Sequence, residues 1–216
     1  KRQGEIMAYV VSATTDHEFW ANVECLDDDT EFRAFGSNRD TRGMKAGILI
    51  PPEIVPRRYV VTDKKVPIHG FFSCINGTAV DDRVVSAVEA LEPGVHRFHP
   101  VEIRMKADGK LLPRPQFLLN CCTSVDAIDP ANSRVAVRRV LPQETHPDVW
   151  HYIVPGGSPS QPAGPLRIAV HRDRIAGRAM WWDNRFNRLF FSDALVAALQ
   201  AAGVEGMQLS PHVAET

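Results

Sequence analysis

The stretch that decides the fold runs from Leu189 to Leu209, LFFSDALVAALQAAGVEGMQL. It opens on an apolar strand, Leu189-Phe190-Phe191. Ser192 or Asp193 follows, and its side-chain oxygen can accept the free backbone N–H groups of a first helical turn. Leu195, Val196 and Leu199 then fall on one helical face. Gly203 stands where a helix ends in the left-handed conformation. Gly206-Met207-Gln208-Leu209 returns as a strand. A capped amphipathic helix between two strands cannot bury its own apolar face, so it must lie on a sheet.

A second stretch reads the same way. Asp81 or Asp82 caps a helix whose face carries Val84, Val85, Val88 and Leu91, and Pro93-Gly94 stops it. Val95 to Met105 is the return strand, with a turn at Asp108-Gly109. Asp82-Arg83-Val84-Val85 leads through Val88 and Ala90 to Gly94-Val95 and Phe98. Asp193-Ala194-Leu195-Val196 leads through Leu199 and Ala201 to Gly203-Val204 and Met207. Either this is an internal repeat, or any α/β unit of this kind looks alike.

Outward from these units the signals are shorter. Residues 6–12 and Tyr59-Val60-Val61 read as strands. Gln116 to Ile128 is an apolar run predicted as a buried strand that ends in a helical turn. Ser133 to Leu141 is predicted as its antiparallel neighbour, and Trp150 to Val154 as a further strand. Leu166 to Val170 is another. Ala179 to Trp182 and Arg188 to Phe191 flank an Asp183-Asn184 turn. Residues 33–58, rich in Arg, Gly and Pro, should be mostly irregular, and Pro155 to Pro165 should be a surface loop or linker. The predicted fold is α+β, with a mixed or largely antiparallel sheet and at least two packed helices. Residues 1–70 form an irregular N-terminal lobe or part of the same domain, and residues 71–216 form the α+β domain.

Composition narrows the function. The chain has 216 residues, 44% hydrophobic and 24% charged, with a formal net charge of -1. That length supports a core without staples. The charge does not favour nucleic acid or an anionic membrane as the main partner. No apolar run approaches the roughly 20 residues of a membrane helix. Four cysteines, Cys25, Cys74, Cys121 and Cys122, include no C-x-x-C pair. Reduced structural thiols in the cytoplasm are expected, with no cofactor and no metal.

Enzyme signatures are absent: there is no nucleophile elbow, P-loop, dinucleotide fingerprint or H-E-x-x-H. His96 and His99, with His69 or a cysteine, could approach a metal. Cys121 with Asn120, Asp126 and Asp129 could suggest a nucleophile. Satisfied histidines and an inert packed thiol are the better readings. Two surface candidates remain. Asp27, Asp28, Asp29 and Glu31 form an acidic segment that could steer a basic partner; the plainer reading is a solvated loop. Trp181, Trp182 and Arg185 lie in a stretch that also holds Phe186 and Arg167, Arg172, Arg174, Arg178 and Arg188. It could stack nucleobases or anchor a protein interface; the plainer reading puts its aromatics in the core.

Three stretches together resemble a known family. They are Asp82 to Ile103 with Phe98-His99-Pro100-Val101-Glu102-Ile103; Phe117-Leu118-Leu119-Asn120 followed by Val125-Asp126-Ala127-Ile128-Asp129; and Leu189 through Ser192-Asp193 to Gly203-Val204-Glu205-Gly206-Met207. In order and spacing they are similar to immunity-protein family eleven of bacterial polymorphic toxin systems, over roughly residues 75 to 210. The resemblance implies a protein that binds a cognate toxin delivered between competing cells and blocks it in the producer by occlusion. It implies no catalytic residue. Two competing readings come from other classes: a small enzyme with an unrecognised site, and a nucleic-acid-binding module built on the Arg/Trp stretch.

Overall fold

The computed structural model describes residues 8–13, 22–37, 47–62, 68–139, 150–153 and 168–215. The Pro155 to Pro165 segment lies outside them. The fold is α+β, built on two six-stranded sheets.

One sheet contains β1 (Ala8–Ala13), β8 (Ser124–Val125), β11 (Ile168–Val170), β12 (Met180–Asp183), β13 (Arg188–Ser192) and β14 (Met207–Glu215), in the order β11-β14-β1-β13-β12-β8. The other contains β2 (Val23–Cys25), β3 (Arg58–Val61), β4 (Phe71–Cys74), β5 (Gly77–Asp81), β6 (Arg97–Met105) and β7 (Gln116–Asn120), in the order β2-β3-β6-β7-β5-β4. A separate ribbon pairs β9 (Ala136–Arg139) with β10 (Trp150–Ile153). The described helices are α1 (Thr30–Ser37), α2 (Asp82–Leu91), α3 (Arg172–Ile175) and α4 (Asp193–Ala201).

The two sheets share one plan. In the second, hairpin β4-β5 leads into α2 and then β6, with β7 antiparallel to both β5 and β6 and β3 parallel to β6. In the first, hairpin β12-β13 leads into α4 and then β14, with β1 antiparallel to both β13 and β14 and β11 parallel to β14. The registers correspond, apart from a shift between Ala8 and Val10 in the β1–β14 pair. Asp81 faces Gln116 where Ser192 faces Ala8, and Arg97 faces Asn120 where Gln208 faces Ser12. The likeness seen in two helices therefore extends to whole sheets. The difference lies in chain order: β7 follows β6 directly, whereas its counterpart β1 comes from the N-terminal end.

Both sheets roll up. After β8 the chain bonds to β11, with an Ile128–Val170 bridge and hydrogen bonds from Asp129 N to Ala169 O and from His171 N to Ala127 O. The first sheet is thereby closed around Val10, Ile128, Trp181 and Phe190. In the second, end strands β2 and β4 come into contact around Tyr59, Phe72, Ile103 and Leu118. Between the sheets lies a third core, where α2 and α4 pack on each other. Strand alternation divides neighbours between these cores: Leu118 points into the rolled sheet and Leu119 into the central layer.

The caps are those the sequence offers. Asp81 accepts from Arg83 N, and Ser192 from Leu195 N at 3.2 Å. Val84, Val88, Leu195 and Leu199 are buried without exposure, and burying a Leu side chain contributes roughly 1.5–3 kcal/mol.

Three expectations are corrected. Leu91 is 41% exposed, because α2 ends there beyond the edge of the central layer. The run Gln116 to Ile128 is not one strand: it breaks after Asn120, and β7 and β8 join different sheets. Ser133 to Leu141 is not its neighbour, since β9 pairs with β10 while β7 already has β5 and β6 on its two sides. Within 33–58, residues 33–37 belong to α1, while residues 47–57 carry no helix or strand, as expected of that stretch.

Candidate functional site

The acidic segment is not a row of free carboxylates. Asp27 sits at the end of β2 and closes it onto β3: Oδ2 accepts from Arg57 N at 2.7 Å and Arg58 N at 2.9 Å, and Oδ1 pairs with Arg58 Nε. Asp28 accepts from Thr30 N and Thr30 Oγ1 where α1 begins. Asp29 binds Arg33 Nε at 2.7 Å and Asn76 Nδ2 at 3.0 Å, which ties α1 to the β4-β5 turn. Burial acts to raise Asp27 and Asp29, yet the hydrogen bonds they accept hold both below the ordinary carboxylate range; Thr30 does the same for Asp28. Asp28 and Glu31 are exposed. The sequence shows a charge cluster here, and the structure shows three local clamps.

The Arg/Trp hairpin divides similarly. Trp181 has no exposed surface and stacks on Phe190 at 5.4 Å between ring centroids. It is a core residue, and its selection as a partner contact is corrected on that ground. Phe186 is buried beside it. A stacking surface for nucleobases is therefore not presented by these two rings. Trp182 is half-buried against the central core. Arg185 reaches Asp126 at 3.3 Å. Asp183 organises the turn: its carboxylate accepts from Ala127 N, Arg185 N and Phe186 N. Burial nonetheless raises its pKa.

His96 and Glu92 are the buried polar pair. His96 Nε2 and Met180 N both lie 2.9 Å from Glu92 Oε2, and His96 Nδ1 accepts from Cys122 N at 3.2 Å. This network joins the end of α2 to β12 and to the chain leaving β7, so it clips one rolled sheet to the other. His99 is buried on β6 within the second sheet, and desolvation lowers its pKa. Among the described residues no three His, Cys, Asp or Glu side chains are grouped to hold a metal. Cys121 is buried and its thiol pushed up to about 12 by desolvation, the state of an inert packed thiol.

A cleft that the sequence did not single out lies at the end of the second sheet where β5 meets α2. It has a volume of about 570 Å3. Leu112, Pro113 and Pro115 form an apolar side, Asp82 and Arg114 meet at the rim 3.1 Å apart, and Gln116 lies at the floor, 6% exposed. Behind it Arg83 is fully engaged. Nε and Nη2 bind Asp81 Oδ2 at 2.9 and 2.6 Å, and Nη1 donates to Gly203 O at 2.7 Å. That last bond places a cation on the carbonyl end of α4, where the helix dipole favours it. Gly70 is required beside this pair: a Cβ there would stand 2.7 Å from Asp81 Oδ2 and 2.8 Å from Arg83 Nη2. Gln116 Nε2 donates to Arg114 O, but Gln116 Oε1 is buried with no donor. An unmade hydrogen bond of that kind costs about 1–3 kcal/mol. Its only sequence signal was a polar residue opening an apolar run.

Comparison with known proteins gives one family. Its model matches residues 74–214 and is described as an immunity protein family (Imm11). The chain belongs to the Imm11 immunity protein family. The match spans β5, α2 and β6, where the cleft lies, and β13, α4 and β14, their counterparts in the other sheet. No curated protein matches the chain. No helix among the described residues is long and apolar enough to cross a membrane.

Proposed function

We propose that this Imm11 protein is the immunity partner of a bacterial toxin, and that it neutralises the toxin by covering its working surface rather than by any turnover of its own. The observation that carries this reading is the family match over residues 74–214. The architecture is compatible with it: the two rolled sheets are clipped together by Glu92, His96 and Arg83, and surfaces already ordered before binding pay less ordering cost. In such complexes a few buried anchors carry most of the affinity while charges set encounter rate and specificity. Glu31, Trp182 and Arg185 remain candidates for the contact surface, and Asp28 adds exposed charge beside Glu31.

The test is co-expression with the toxin domain encoded next to it. Cells carrying the toxin should survive only when this chain is present, and the purified pair should co-elute as one species. Cell death at the same rate with and without the chain overturns the reading.

A further inference from the structure

The two sheets act as controls for each other. Asp81, Arg83 and Gln116 line or back the cleft in the second sheet. By register and by distance along the chain from the helix caps, their counterparts in the first sheet are Ser192, Ala194 and Ala8. Ala8 is buried and apolar, and the first sheet folds around it. The shared plan therefore does not demand a buried amide at this place. Gln116, with an oxygen that accepts from nothing, belongs to the second sheet alone.

The side-chain acceptors of the cleft are not all spent. Arg83 spends Nε, Nη1 and Nη2 inside the protein. Asp81 is spent on Arg83 and on the first turn of α2. Among the side-chain acceptors of the lining, Gln116 Oε1 has no donor and the Asp82 carboxylate is 44% exposed, meeting Arg114 at the rim; His69, which also lines the cleft, is tied to Glu205 through Nδ1. Arg114 shows what Asp82 takes, since a guanidinium of this same chain already rests on it. Between floor and rim, Leu112, Pro113 and Pro115 offer an apolar wall, and the two prolines have no N–H to donate. An aliphatic stem ending in several N–H donors fits that lining, with the stem on the prolines and the charged head on oxygen.

We propose that this cleft receives an arginine or lysine side chain of the toxin, with its donors on Gln116 Oε1 and the Asp82 carboxylate. The inference rests on the immunity reading for the identity of the partner, and on the geometry alone for the chemistry. Arg114 competes with the incoming cation for Asp82. Removing Arg114 should then strengthen binding, whereas an anion site would weaken.

The first test uses N-acetyl-arginine amide titrated into the isotope-labelled protein, with the Gln116 side-chain amide as NMR reporter. Saturable shifts are expected at Gln116. Affinity should rise about twofold or more in Arg114→Ala and fall about fivefold in Asp82→Asn and in Gln116→Leu, the last read on the backbone amides of residues 82 and 114. Asp82 and Arg114 are half exposed, so their variants keep the test valid if Gln116→Leu folds poorly. N-acetyl-glutamate amide should leave Gln116 unmoved. Absence of shifts with the arginine probe, equal shifts with the glutamate probe, or weaker binding in Arg114→Ala each overturns the proposal. The second test repeats toxin protection with Asp82→Asn and Gln116→Leu, which should weaken the complex tenfold or more. Full protection by both variants overturns the cleft while the immunity reading stands. Failure of the unaltered chain to protect overturns the immunity reading itself, and the NMR titration still decides the cleft.

Discussion

The rolled sheet that carries α4 and the one that carries α2 follow the same plan with different chemistry. The first is closed by its own chain, through residues 127–129 on β11, and holds an aromatic core of Trp181, Phe186 and Phe190. Its helix cap is a neutral serine. The second has a charged cap, Asp81 held by Arg83, and a buried amide at its mouth. One plan thus admits two sets of side chains where the backbone pattern is satisfied, and the polar set is the one the fold does not require.

The largest expected effect tests the part the two share. Leu199→Ala should lose about 2–5 kcal/mol, because the side chain is buried in the central core and leaves a cavity. Val88→Ala, its counterpart on α2, should lose about 1–2 kcal/mol, in proportion to its smaller side chain. Denaturant unfolding measures both. A cost for Val88→Ala equal to none would break the equivalence of the helices.

The caps should differ next. Asp81→Ala leaves Arg83 without its partner and should cost about 3 kcal/mol, since stranding one member of a poorly solvated pair is expensive. Ser192→Ala removes one hydrogen bond and should cost about 1 kcal/mol. Equal losses would show that Arg83 contributes nothing beyond an ordinary cap.

Acid should act on the second sheet through its clamps. Against the burial of Asp27 and Asp29, the hydrogen bonds they accept, like those of Thr30 on Asp28, hold all three carboxylates below the ordinary aspartate value in the folded chain, so the unfolded chain binds their protons more tightly. Their stabilisation is fully present above the unfolded value and is lost as pH falls through the lower folded values, a window below about pH 4. Thermal melts from neutral pH into that window should show the loss, and Asp27→Asn should flatten it. An unchanged acid slope in Asp27→Asn would remove Asp27 from the account. The smallest effect is expected at Leu91, where truncation to Ala should change stability by less than about 0.5 kcal/mol, since the side chain is 41% exposed.

Much of this was legible in the sequence because it is local. Asp81 and Ser192 cap helices because a short acceptor side chain lies next to free N–H groups, and the Val84/Val88 and Leu195/Leu199 spacings fix which helical face is buried. The hairpin at Asp183 and the stop at Gly203, where φ is +66°, follow from the same short-range rules. Tertiary structure alone decided the rest. Alternation along Gln116 to Ile128 says which residues share a face, but not that the run passes from one sheet to another or which strands flank it. Charge along Asp27 to Asp29 does not say that Arg58, Thr30, Arg33 and Asn76 occupy the carboxylates. The complete burial of Trp181, and the meeting of Asp82, Arg114 and Gln116 in one cleft, depend on contacts between segments far apart in the chain. Such contacts are set by how whole sheets close, and no window of neighbouring residues contains that information.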